Sequence, residues 1–312
     1  MEELPTKEFQ AMIPTVREKG FYTAGKQRTI SWPEYNLSQI VQAHETLDFI
    51  RKSVDDTQYL QIKGKTGRHL TDPKSLAKSV LACEALGFAE RNAQGWMKII
   101  GPFLGIHDTL DDKTIGDAYN KREVVYILKQ IFEKTKDSDR KLSGDGTGLE
   151  TTRKQNYESK KKAGEYMTSI VDSREIVQTF DIVLHERKAM HKLIEGIYGD
   201  DIRLDAGFND RKLVREIAEK NMIPYIFPKK TNVLNGSIAW KLMYLDFFYD
   251  VMQWLTEYHI RSHSESFHSS FKRVYGPLTK RRANSVLSQV TARIILHNRR
   301  RLSYFNRLAQ KG

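Results

Sequence analysis

The 312-residue chain contains a single cysteine, Cys83. An internal disulfide framework and a multi-thiolate zinc or iron–sulfur centre are therefore excluded, and a reducing, cytoplasmic setting is the simplest reading. Long apolar runs are also missing. The best one, Ile238 to Leu255, is broken by Lys241, Asp246 and Asp250, so no membrane span is expected. Met1 to Phe9 mixes acids, Pro5 and one lysine without an apolar run, so no signal peptide is expected. No repeat of fixed period, no long low-complexity stretch and no glycine-rich phosphate loop followed by Lys-Ser/Thr is present, and nothing calls for ATP.

The most telling scarcity is of acids in the tail. The chain carries 51 Lys and Arg against 39 Asp and Glu, a formal charge of +12. From Tyr258 to Gly312 there are 12 bases and one acid, Glu265, which leaves 39 bases and 38 acids in residues 1–257. A field of that sign calls for a polyanionic partner, nucleic acid before membrane. Its placement ties it to the segment around Glu265. The near-neutral remainder gives no electrostatic sign of a second DNA surface.

The first thirty residues read as an irregular arm. Ser31-Trp32-Pro33-Glu34 reads as a capping box opening a helix to about Val54. Asp72-Pro73 opens another, ended by Gly87, and Phe88 to Ile100 forms a third. Two short helices joined across one glycine resemble a helix-turn-helix, a pattern that many bundles share. Lys113 to Glu133 reads as one longer helix. The polar run Lys134 to Lys141 marks a boundary, giving a helical domain over 1–139 and a second domain over 140–312. Strand-type runs follow at Lys141–Leu149, Tyr166–Asp172, Glu175–Leu184, Ile202–Asp205 and Ile223–Phe227, with helices at Arg187–Tyr198 and Asn209–Lys220. This order predicts a mixed α/β sheet: an antiparallel meander of three strands, then two parallel strands reached by helical crossovers.

Asp145, in Leu-Ser-Gly-Asp-Gly-Thr-Gly-Leu, falls on the first strand, and Asp205 ends the fourth. Ligand sites of open α/β sheets form at the carboxyl ends of strands, and two carboxylates there suit hard divalent cations such as Mg²⁺. Taken singly, Asp205 reads first as a helix-entry cap and Asp145 as a turn aspartate. The segment Tyr258-His-Ile-Arg261-Ser-His-Ser-Glu265, continuing to Lys272, adds a third part. At 100° per residue Tyr258, Arg261, Glu265 and Lys272 share one narrow stripe, opposite Ile260, Phe267, Phe271 and Val274. An exposed face with Arg261 paired to Glu265 explains the same pattern. A lone carboxylate amid bases is also what a metal site on an anionic backbone would need.

These residues resemble the insertion-sequence DDE transposases that carry a Y-R-E-K signature. Tyr258, Arg261, Glu265 and Lys272 match that signature, Asp-Gly-Thr-Gly at 145–148 resembles the first-aspartate strand, and Asp-Ala-Gly-Phe at 205–208 resembles the second-aspartate motif. Asp145, Asp205 and Glu265 follow one another at intervals of sixty residues, too close for a large insertion domain, so the compact branch is the match. The resemblance covers roughly residues 140–310. It implies an RNase H-like, retroviral-integrase-like sheet flanked by helices and preceded by a helical N-terminal domain that serves DNA ends. It further implies two Mg²⁺ ions, with Mn²⁺ as substitute, held by Asp145, Asp205 and Glu265, and strand cleavage and transfer with no covalent protein–DNA intermediate. Tyr258, Arg261, Lys272 and Arg273 would touch DNA. The partners implied are the element's terminal repeats and target DNA, both double-stranded, bound by a homodimer at the nucleoid.

Further bases fit phosphate contacts: Lys280, Arg281, Arg282 and the run Arg299-Arg300-Arg301, with Lys229 and Lys230 equally read as a solvated loop. Arg153, Lys154 and Lys160 to Lys162 share that ambiguity. His259, His263 and His268 are read as non-ligands, since a hard-cation site of carboxylates has no need of imidazole. Trp96, Trp240 and Trp254 are assigned to packing, Asp200 and Asp201 to solvent, and Asp210 to a helix's first turn. Two other readings share the motifs: a transposase-derived DNA-binding protein that has lost its chemistry, and an RNase H-like structure-specific nuclease.

Overall fold

The structure is a computed structural model that describes residues 5–25, 30–59, 71–152, 164–183 and 185–310. The cluster Arg153, Lys154 and Lys160 to Lys162 lies outside the described residues. The first element is α1 (Thr6–Val16), where an irregular arm was expected. Phe9, Ile13 and Val16 recur at helical spacing and are buried, and that short stripe makes the segment a helix. Next comes α2 (Trp32–Asp55), with Pro33 in its first turn. Ser31 makes no side-chain bond there, so the expected capping box does not form. In α3 (Pro73–Leu86) Asp72 accepts the amides of Lys74 and Ser75, and Gly87 closes the helix in the left-handed conformation (φ +69°). The next helix, α4 (Glu90–Leu104), runs past Pro102. It stops at Gly105 (φ +67°), where the Ile106 amide returns to the Gly101 carbonyl.

The single helix expected over 113–133 is two, α5 (Asp112–Ala118) and α6 (Arg122–Lys134). Between them the amides of Asn120 and Lys121 bond three residues back, to Asp117 and Ala118, in a tight turn. Then follow β1 (Lys141–Glu150), β2 (Gly164–Asp172), β3 (Val177–Ile182), α7 (Glu186–Glu195), β4 (Asp201–Leu204), α8 (Arg211–Glu219) and β5 (Ile223–Ile226). The chain ends in α9 (Ile238–Tyr249), α10 (Val251–Tyr258), α11 (Ser262–Tyr275) and α12 (Ala283–Ala309). No helix among the described residues is long and apolar enough to cross a membrane.

Two compact units divide the chain. One takes Met1–Thr29, Asp137–Leu149 and Gly164–Ser270; the other takes Ile30–Lys136, Glu150–Ala163 and Phe271–Gly312. The linear division at 139/140 does not follow them. The reason lies in α12, whose residues from Ser288 to Asn298 are all buried. A helix covered on every face needs neighbours all round, and α12 finds them in α2, α3 and α6. The opening arm likewise belongs with the sheet, where Phe9 lies 5.2 Å from the Tyr244 ring and 5.9 Å from that of Phe247.

The sheet unit has strand order β3-β2-β1-β4-β5. β2 and β3 are antiparallel, while β4 runs parallel to β1 and β5 parallel to β4, as the element order predicts. Its core joins Leu142, Ile170, Ile202 and Leu204 of the sheet to apolar faces of α1, α7, α8, α9 and α10. Trp240 and Trp254 are core residues, in line with the packing roles read from sequence. Trp96, in the other unit, is 46% exposed and stacks on Phe88 at 5.0 Å, so it is only partly packed. Asp201 is not solvated: it pairs with the fully buried Arg203 of β4. Arg203 also donates to the Glu257 carboxylate (2.9 Å) and backbone carbonyl (2.9 Å), and lies 5.1 Å from the Tyr225 ring. One buried guanidinium thus ties β4 to the end of α10.

Candidate active site

The parallel register of β1 and β4 pairs Gly144 with Leu204. The residue after each is an aspartate, Asp145 within β1 and Asp205 just past the end of β4, so the two carboxylates are neighbours. Gly144 leaves room for the core packed over this point, because a Cβ there would meet Leu204 Cδ2 at 2.7 Å and Met190 Cε at 2.8 Å. Asp205 caps the short turn Ala206–Phe208 and accepts the Gly207 amide at 2.6 Å. Asp145 accepts the Gly146 amide at 2.9 Å and is 18% exposed. Burial pushes its carboxyl up to about 6, against the Gly146 bond and Arg261, while Asp205 and Glu186 push it further up.

Glu186, the first residue of α7, joins this group without a sequence motif to announce it. Its carboxylate lies over Gly146, where a Cβ would meet Oε1 at 2.2 Å and Tyr166 Cε1 at 2.7 Å. Tyr166 and the Gly146 backbone lie close to it and favour its charged form. Burial and then the charge of Asp205 raise its pKa. An acid in a first turn is ordinary helix chemistry, so sequence alone does not distinguish Glu186. His268 was read as a non-ligand. The structure buries it beside Asp145, with Nδ1 3.9 Å from Oδ2 and Nε2 2.9 Å from the Ser169 hydroxyl. Its place three residues after Glu265 was the available signal.

The expected continuous stripe is interrupted. A 3-10 turn, His259–Arg261, separates α10 from α11, so 100° per residue does not hold across it. Tyr258 ends α10 and stacks on Trp254 at 4.9 Å; burial, ahead of neighbouring charges, raises its hydroxyl to about 12. Arg261 points Nη1 at Asp145 Oδ2 (3.9 Å) and bonds Glu265 through Nη2. The guanidinium therefore sits between the two carboxylates. Glu265 is 54% exposed on the first turn of α11. Phe267 and Phe271 are buried as expected, but Val274 is 45% exposed and does not belong to the apolar face.

Other bases are dispersed. Lys229 and Lys230 lie on the loop after β5, and Lys272 and Arg273 are exposed farther along α11. Lys280, Arg281 and Arg282 line a cleft in the helical unit. Arg299 is engaged internally with Glu45 (3.4 Å), as is Arg307. Part of the basic tail is thus engaged within the helical unit itself.

The donors Asp145, Asp205 and Glu265 are all oxygen, and in kind they fit a hard cation. Burial first, and the charges of Asp205 and Glu186 after it, raise Asp145, and a bound cation would offset both. Among the described residues, no three His, Cys, Asp or Glu side chains are clustered as an ion would need. Arg261 reaches both Asp145 (3.9 Å) and Glu265.

A family model described as the transposase DDE domain matches residues 136–299, a span that includes Asp145, Asp205 and Glu265. Comparison with curated proteins and with solved structures gives no match.

Proposed function

The chain belongs to the DDE transposases of insertion sequences, with their RNase H-like fold, and on that premise we propose that Asp145, Asp205 and Glu265 carry its DNA strand cleavage and strand transfer. The observation that supports this reading best is the side-by-side placement of Asp145, within β1, and Asp205, at the end of β4, where burial and like charge leave Asp145 in need of a cation. Asp145, Asp205 and Glu265 would together hold two Mg²⁺ ions, or Mn²⁺ in their place. When bound, such ions lower the charge barrier at the phosphate and ease ionisation of the attacking oxygen.

The chain's own residues supply the rest. Water's oxygen bonds to phosphorus as the bond to the 3′ oxygen at the element's end breaks, and the freed 3′ hydroxyl attacks target DNA by the same displacement. Arg261 would exchange Glu265 for a phosphate oxygen, which frees the carboxylate and fixes the strand in one movement. Tyr258, held by Trp254, would position the terminal backbone. Lys272, Arg273, Lys229, Lys230 and Lys280 to Arg282 are further candidates for phosphate contacts. Joining two ends calls for a homodimer on DNA.

Asp145→Ala should abolish Mg²⁺-dependent cutting of terminal-repeat DNA while leaving the fold intact; unchanged cutting would overturn the assignment. Strand transfer into a plasmid separates the transposase from its two rivals. A DNA-binding descendant would cut nothing, and a structure-specific nuclease would cut without joining.

A further inference from the structure

In the helical unit, α5 and the start of α12 border a cleft of about 320 Å³. Its lining includes Lys113, Lys280, Arg281 and Arg282 against one carboxylate, Asp117. Arg281 and Arg282 are exposed. The same end of α12, a 27-residue helix, carries positive partial charge, and its N-cap, Arg282, contributes no side-chain cap bond. Every strong feature of the cleft therefore favours an anion.

The basic segment is held in place by buried groups. Gln289, 1% exposed, accepts the amides of Thr279 (3.0 Å) and Lys280 (3.2 Å) on one oxygen. Its nitrogen donates to the Thr279 hydroxyl (3.0 Å) and to Glu84 (2.9 Å). Glu84 also takes the Tyr119 hydroxyl (2.8 Å) and Arg293 (2.6 Å). Arg293 donates in turn to the carbonyl of Gly276 (3.0 Å). Leu278 is fixed through both backbone groups, its amide to Glu150 (2.8 Å) and its carbonyl to Thr152 (2.9 Å). The Lys280 ammonium lies 3.8 Å from the centre of the Tyr119 ring. A loop that needed only to connect two helices would not require this network. Its effect is to fix the bases before any ligand arrives, which removes an ordering cost from binding.

We propose that this cleft grips the phosphate backbone of double-stranded DNA without reading its sequence. Charged side chains and a helix N-terminus contact phosphates, whereas sequence readout needs groups inserted against base edges. The choice of DNA as the source of phosphate rests on the transposase reading above. The grip would act when metal is absent and cutting is impossible.

The test uses full-length protein in EDTA, with duplexes of two unrelated sequences, and follows fluorescence anisotropy across a salt series. Arg281→Ala/Arg282→Ala changes two exposed side chains and should keep the native thermal melt. The double variant should bind both duplexes at least ~10-fold more weakly, with the log–log salt slope shallower by about 2, since each lost phosphate contact removes about 0.9. Arg281→Lys/Arg282→Lys should keep most of the wild-type slope. Affinity and slope unchanged in the alanine variant, with the wild-type protein binding DNA, would overturn the cleft assignment and leave the catalytic reading standing. A wild-type protein that binds neither duplex would overturn both. Calorimetry with inorganic pyrophosphate separates the other source. Pyrophosphate binding lost in the alanine variant, with DNA affinity unchanged, would make this a small-phosphate site and overturn the proposal.

Discussion

Asp145 is where burial and the proposed function pull in opposite directions. An aspartate that ionises near 3.8 in an unfolded chain and near 6 in the fold disfavours the folded state once it is charged. The folded form binds more protons between those values, so stability from this group is full below about pH 4 and falls as pH rises through about 6. Asp145→Asn should therefore raise the stability of metal-free protein, by little near pH 4 and by up to ~3 kcal/mol above pH 7. Thermal melts in EDTA across that range check it; a gain independent of pH would refute the buried-charge account. The sequence singled out this residue through its glycine-flanked motif. The same motif could not reveal that Glu186 and His268 come to lie beside it. Glu186 arrives from a helix 41 positions away, and its approach depends on Gly146 having no side chain.

At the scale of elements, the strand directions were legible because strand-type runs, short turns and crossover helices leave few alternatives. The helix breaks were not. The continuation of α4 through Gly101-Pro102 and the 3-10 break at His259–Arg261 are both decided by local backbone bonding that periodicity does not encode. Arg203 was equally hidden, since an arginine inside Ile-Arg-Leu-Asp gives no sign that it faces two carboxylates. Arg203→Met would leave Asp201 and Glu257 without their cation and should cost about 3 kcal/mol, read as a shift in the denaturation midpoint. A loss below about 1 kcal/mol would mean that solvent compensates those carboxylates. Because Glu257 precedes Tyr258, this ion pair also sets where α10 delivers the residues that follow it.

At the scale of the molecule, α12 shows how far apart in sequence one compact unit can be gathered. Its middle is buried all round, and its bases Arg293, Arg299 and Arg307 pair with Glu84 and Glu45 of helices more than 200 residues earlier. Removal of residues 283–312 should leave 30–136 unable to fold cooperatively, seen as rapid proteolysis throughout that stretch. A protected 30–136 fragment would show that those helices do not depend on α12. The sequence by itself determined the alternation of strands and helices, the three carboxylates and the net basic tail, because each is written in residue type and spacing. Tertiary structure alone decided which charges are available. Charge counted along a chain says nothing of ion pairs, and only the packing reveals that part of the tail is neutralised internally, that Lys280 to Arg282 line a separate cleft, and that Arg261 stands between Asp145 and Glu265.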